Sequence, residues 1–143
     1  MKKNLFFILF ILICSQLSYA EELYQFQGTH FLASYGNCDQ EALTNIDSLR
    51  ETLLLASRKS GATILEFVDH VFPPNGFTMA ILLQESHATI HTYPEHNACF
   101  IDLFTCGDHC CSSRFAEVIE EYLKPKKISK KTLIRNELIE ESN

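Results

Sequence analysis

The sequence predicts an α+β domain, a two-layer sandwich of a mostly antiparallel sheet with helices on one face. Three observations carry this. Consecutive strand-like segments are joined by breaks too short for a crossover, as at Pro73-Pro74-Asn75-Gly76, and strands joined this way pair antiparallel. Apolar residues recur at helical spacing only where the strand pattern stops, at Ala42, Ile46, Leu49, Leu53 and Ala56. The resulting order is strand, helix, three or four strands, helix, strand, and two helices suffice to cover one face of such a sheet.

Each element has its own signal. Leu23 to Tyr35 reads as the first strand, punctuated by Gly28 and Gly36. Asp39 is a helix N-cap, and the apolar face from Ala42 to Ala56 predicts one amphipathic helix that ends at Gly61. Ala62 to Phe72 is rich in strand-forming residues. Phe77 to Leu83 is apolar on both faces, and such a strand is expected to be buried on both sides. Ala88 to Tyr93 alternates, Pro94 to Asn97 interrupts, and Ala98 to Thr105 resumes, which implies a hairpin. Ser112 or Ser113 caps a second helix that runs to about Leu123, and Lys126 to Ile134 forms a last edge strand.

The 143 residues make one domain large enough for a hydrophobic core, and 46% hydrophobic with 21% charged residues is the balance of a globular protein. The net charge of -6 and the absence of a basic patch interleaved with aromatics exclude a nucleic-acid surface. Lys124 to Arg135 is basic, but Glu137, Glu140 and Glu141 follow at once, which describes a solvated tail.

The first twenty residues stand apart. Lys2 and Lys3 precede an apolar run from Leu5 to Ile13, and Ser18-Tyr19-Ala20 places small residues where a signal peptidase reads them. Residues 1–20 are therefore expected to be a secretory signal and 21–143 the folded domain. The apolar run is too short for a stable membrane span. Bulky Ile13 before Cys14 fits a lipoprotein site poorly. Removal of Lys2 and Lys3 leaves ten basic and eighteen acidic residues, a net charge of -8. Of Cys14, Cys38, Cys99, Cys106, Cys110 and Cys111, export would leave five, so at least one thiol stays free or pairs between chains.

Chemistry-bearing residues are densest from Gln84 to Glu95, which holds two histidines, two carboxylates and three hydroxyl residues besides Tyr93. Ser86 and His91 are five residues apart, so on a continuous strand they face opposite sides, and a turn or bulge near Ser86 would be needed to bring them together. By themselves they are ordinary strand residues, with neither a G-x-S-x-G elbow nor a third orienting group. Cys106-Gly107-Asp108-His109-Cys110-Cys111 has poor spacing for zinc, which usually takes two separated ligand pairs, so no metal is expected.

Together the two clusters resemble the signature of the bacterial S-adenosylmethionine decarboxylases. The resemblance rests on Glu85-Ser86-His87, then Ile90-His91-Thr92-Tyr93-Pro94-Glu95, then Ile101-Asp102-Leu103-Phe104-Thr105-Cys106-Gly107. Gly28-Thr29-His30, Asn37-Cys38-Asp39, Ser60-Gly61-Ala62-Thr63-Ile64 and Phe72-Pro73-Pro74-Asn75-Gly76 agree with it, and the similarity spans roughly Gln25 to Leu123.

The resemblance implies a pyruvoyl cofactor made from an internal serine, in place of pyridoxal phosphate as the electron sink for decarboxylation. It implies cleavage between Glu85 and Ser86, into 21–85 and 86–143, with Ser86 as the pyruvoyl precursor that forms a Schiff base with the substrate. By the same resemblance His91 is the processing base and Cys106 the proton donor in turnover. Phe72, Tyr93 and Glu95 fall at substrate-binding positions, although Tyr93 stands where relatives commonly carry Trp. The implied substrate is S-adenosylmethionine, feeding spermidine synthesis, and the implied assembly is a homo-oligomer, at least a dimer of processed protomers. Two alternatives stay open: a related decarboxylase of arginine or ornithine, and an exported inactive binding module that keeps the fold. The N-terminus directs the chain to the periplasm or outside, whereas the resemblance implies the cytoplasm.

Overall fold

A computed structural model describes residues 27–84, 86–106 and 109–136. The expected signal over residues 1–20, the beginning of the first predicted strand and Glu85 on one side of the expected cleavage point lie outside the described residues.

Six strands form one sheet: β1 (Gly28–Gly36), β2 (Thr63–Phe72), β3 (Gly76–Gln84), β4 (Ser86–Tyr93), β5 (Ala98–Thr105) and β6 (Lys127–Arg135). Their order is β2-β3-β4-β5-β1-β6, and every neighbouring pair is antiparallel. Three hairpins in succession build β2 through β5. β1 then adds to β5, and β6 closes that side as the edge strand the sequence predicts.

The helices α1 (Gln40–Thr44), α2 (Ile46–Ser60) and α3 (Ser112–Leu123) cover one face. The single helix expected between Asp39 and Gly61 is two. Asp39 caps α1 by accepting from Ala42 N–H at 3.0 Å, and Asn45 then leaves helical geometry (ψ 84°) to cap α2 by accepting from Ser48 N–H at 3.2 Å. An asparagine side chain competes well for backbone donors, so it restarts the helix where periodicity alone continues it. Gly61 ends α2 in the left-handed region, at φ 100°, and a Cβ there would meet the His109 carbonyl oxygen at 2.7 Å. Both facts require glycine.

Alternation decides the core. Phe31, Ala33 and Tyr35 of β1, Phe77, Met79, Ile81 and Leu83 of β3, Ala88 and Ile90 of β4, and Cys99, Ile101 and Leu103 of β5 point toward the helices and are buried. They meet Leu49, Leu53 and Leu54 of α2 and Phe115, Ile119 and Leu123 of α3. Each large side chain so buried stabilises the fold by about 1.5–3 kcal/mol before entropy is counted. Polar ties fix the layers. Tyr35 O–H donates to Glu120 at 2.7 Å, and Arg50 of α2 reaches Asp69 of β2 and Asp47.

Among the described residues, no helix covers the opposite face of the sheet. His30, Leu32, Thr78, Leu82, His87, His91, Tyr93, Phe100, Asp102 and Phe104 project there. Leu82 is 54% exposed and Phe100 53%. The apolar outer face of β3 is therefore open within one chain.

Candidate active site

The two ends of β4 carry two different cavities. Ser86 is its first residue, directly opposite Leu83 of β3 and Thr105 of β5. This register turns the Ser86 side chain toward the helix layer. It lines a cavity of about 350 Å³ with Thr63, Gln84, Thr105, Cys106 and Cys110. Cys106 follows Thr105, so the strand pairing that positions Ser86 also brings Cys106 to the same cavity. Burial pushes the Cys110 thiol up, so it is protonated at neutral pH. The Ser86 hydroxyl is buried without a hydrogen-bond partner among the described residues. An orphaned hydroxyl costs about 1–3 kcal/mol, a cost usually retained where chemistry uses the group.

At the other end of β4, His91 and Tyr93 face the open side of the sheet, and Glu95 sits in the Pro94–His96 turn that follows. With Phe72 and Pro73-Pro74 of the β2–β3 turn they line a cavity of about 640 Å³. Pro73-Pro74 is a cis peptide bond. The rings stack edge to face: His91 to Tyr93 at 4.7 Å between centroids, Phe72 to His91 at 6.1 Å and Tyr93 to Phe100 at 5.5 Å. A cavity walled by aromatic faces suits a planar ring or a cation.

His91 is held by a residue absent from the sequence-based expectations. Thr78 is its cross-strand partner on β3, and its hydroxyl shares a hydrogen bond with His91 Nδ1. The signal for Thr78 is register, which the sequence carries only once the β3–β4 hairpin is fixed.

A third group lies in mid-sheet on the open face. Thr89 donates to Asp102 at 2.6 Å, and Asp102 stands 3.7 Å from His30 Nε2. His30 packs edge to face on His87 at 6.4 Å and on Phe104 at 5.5 Å, His87 lies tilted against Phe104 at 5.5 Å, and Arg135 stands over Phe104 at 4.7 Å. Asp102, part of the run that carries the resemblance, thus belongs to a polar network of its own, separate from both cavities.

The structure therefore joins Ser86 with Cys106, and His91 with Phe72, Tyr93 and Glu95. It does not join the two sets within one chain. Ser86 and His91 are separated by five residues of continuous strand, about 17 Å, and face opposite sides.

A family model described as S-adenosylmethionine decarboxylase matches residues 29–136. Curated relatives include the S-adenosylmethionine decarboxylase proenzyme of Thermotoga maritima, 38% identical over 101 residues, which are 71% of this chain and 78% of that protein. The protein of the same description from Fervidobacterium nodosum is 44% identical over 82 residues, 57% of this chain and 60% of its own length. Among solved structures, the adenosylmethionine decarboxylase of Aquifex aeolicus superposes with a TM-score of 0.73 at 34% identity, covering 83% of this chain and 98% of that one.

Proposed function

Since this chain belongs to the S-adenosylmethionine decarboxylase family, we propose that it decarboxylates S-adenosylmethionine through a pyruvoyl group made from its own Ser86. The observation that carries this reading is the buried, unpartnered Ser86 hydroxyl in a cavity shared with Cys106.

Ser86 begins the processing. Its hydroxyl attacks the carbonyl carbon of Glu85, the Glu85–Ser86 C–N bond breaks, and the chain is held by an ester with a free Ser86 amine. Removal of the Ser86 α-hydrogen expels the Glu85 carboxylate and leaves dehydroalanine. Water then replaces the nitrogen, which leaves as ammonia. The products are chains ending at Glu85 and beginning at position 86. The Ser86 position fits the group because, among the described residues, no hydrogen-bond partner ties up its oxygen.

The pyruvoyl group supplies an electron sink for the electrons of the departing carboxylate. Cys106, in the same cavity, holds the proton that the α-carbon needs once carbon dioxide has left. Phe72 and Tyr93 of the second protomer, beside its His91, offer faces to the adenine ring and the sulfonium charge, and Glu95 adds a carboxylate to that cavity.

His91 acts as the α-proton base from a second protomer. In the tautomer whose Nδ1–H is donated to Thr78, Nε2 carries a free lone pair and can act as the base, but the strand keeps it from its own Ser86. The open sheet face, with Leu82 and Phe100 exposed, supplies the surface for a homodimer that completes each site with residues of both chains. Residues 1–20 direct the chain to export, and the mature protein starts at Glu21, a start that N-terminal sequencing of the shorter-numbered chain reads directly.

Two measurements test the reading. Purified protein should appear as two chains split at Glu85–Ser86, the second without a free amino terminus, and should release carbon dioxide from S-adenosylmethionine but not from arginine or ornithine. An intact single chain, or turnover of a basic amino acid instead, would overturn it. Co-expression of Ser86→Ala with His91→Ala separates the dimer claim: cleavage of the His91→Ala chain only in the mixture supports a base from the partner, and an uncleaved mixture sinks it.

A further inference from the structure

Two cysteines outside both cavities meet in the core. Cys38 lies between β1 and α1, next to the N-cap Asp39, and Cys99 lies near the start of β5. They are 6% and 1% exposed. Tyr35 is the cross-strand partner of Cys99. Beyond it Asn37 adopts a left-handed conformation (φ 53°), and Cys38 N–H donates to the Asn97 carbonyl at 2.9 Å. The chain thereby turns back across the beginning of β5, two residues before Cys99, and both thiols are buried in the same core. None of the chemistry assigned above uses either sulfur.

We propose that Cys38 and Cys99 are joined by an intramolecular disulfide that fastens the β1–α1 junction to β5. The bond forms by thiol–disulfide exchange with a small-molecule or protein disulfide. The two thiols give up two protons and two electrons, one S–S bond forms, and the oxidant's S–S bond is reduced to two thiols.

The surroundings set the order of events. Both sulfurs are shielded in the folded protein, so the exchange belongs to the folding chain before α1 docks, and the finished bond is protected from reductant. In the uncleaved precursor it closes a loop of 61 positions, which restricts the unfolded chain, and after the proposed cleavage between Glu85 and Ser86 it links the two chains covalently. Cys106 lies beyond the far end of β5, about 24 Å along the strand. The pairing therefore leaves free the thiol that turnover is proposed to use.

The purified two-chain protein, alkylated and digested without reduction, should yield a peptide pair linked through Cys38 and Cys99. Reductant should lower the Tm by roughly 10 °C. Cys99→Ala should abolish that sensitivity, whereas Cys111→Ser should keep it. Recovery of Cys38 and Cys99 both alkylated, linkage of either to Cys106, Cys110 or Cys111, or a Tm indifferent to reductant would each overturn the assignment. The peptide map uses the unsubstituted protein, so it decides the question even if Cys99→Ala fails to fold.

Discussion

Ser86 and Thr105 are direct cross-strand partners at the ends of β4 and β5. That pairing places Cys106 beside the residue whose hydroxyl is proposed to begin self-processing. One register therefore fixes both the group proposed to become the cofactor and the acid proposed to serve it.

Replacing Ser86 with alanine should abolish both cleavage and decarboxylation, because alanine has no hydroxyl to start the acyl shift. The variant should run as one chain on a denaturing gel and release no carbon dioxide. Two chains from purified Ser86→Ala would refute self-processing at this residue.

Cys106→Ala should still be cleaved but turn over slowly. The thiol is assigned to turnover and not to cleavage, and losing a general acid costs about 10²–10⁴-fold in rate. Single-turnover kinetics on the cleaved variant measure this. A cleaved Cys106→Ala protein with near-normal turnover would remove Cys106 from the mechanism.

Thr78→Val keeps the shape at β3 but removes the hydrogen bond to His91 Nδ1. A side-chain hydrogen bond contributes about 0.5–1.5 kcal/mol net, so conversion of precursor to two chains should slow by roughly twofold to tenfold. Thr78→Ser should restore the rate. Equal slowing in Thr78→Ser would show that packing, and not the hydroxyl, is what matters.

Burial, then the bond to Glu120, pushes the Tyr35 hydroxyl well above its ordinary value. A group whose folded pKa is raised keeps its full contribution below the unfolded pKa and loses it as pH rises toward the folded one. The Tm should therefore be flat in this respect up to about pH 10 and fall above it. Tyr35→Phe should lower the Tm at neutral pH by the equivalent of about 1 kcal/mol and flatten the alkaline decline. An unchanged alkaline decline in Tyr35→Phe would assign it to another group.

Phe115→Ala should destabilise the domain by about 3–5 kcal/mol, because the ring is fully buried between the helices and the sheet. Denaturant melts of the two proteins measure the difference, and a loss below 1 kcal/mol would contradict the packing described here.

The sequence by itself determined the fold class, nearly every strand and the identity of the candidate site residues. Those features are local: alternation marks β3 to β5, Pro73-Pro74-Asn75-Gly76 marks a turn, and Ser86, His91 and Cys106 sit in recognisable runs. Even the opposite facing of Ser86 and His91 is legible, because it follows from odd spacing on a strand. Helical periodicity could not see the break at Asn45, since a side-chain cap leaves the apolar spacing of Ala42, Ile46 and Leu49 intact. Only the tertiary structure decided which residues meet across strands. Thr78 anchors His91, Thr105 brings Cys106 to Ser86, and Cys38 turns back onto Cys99, each through register or a backbone reversal between segments distant in sequence. It also separated the two cavities to opposite ends of β4 and left one sheet face uncovered. Pairing register and layer order arise from the packing of the whole chain, and no stretch of residues encodes them alone.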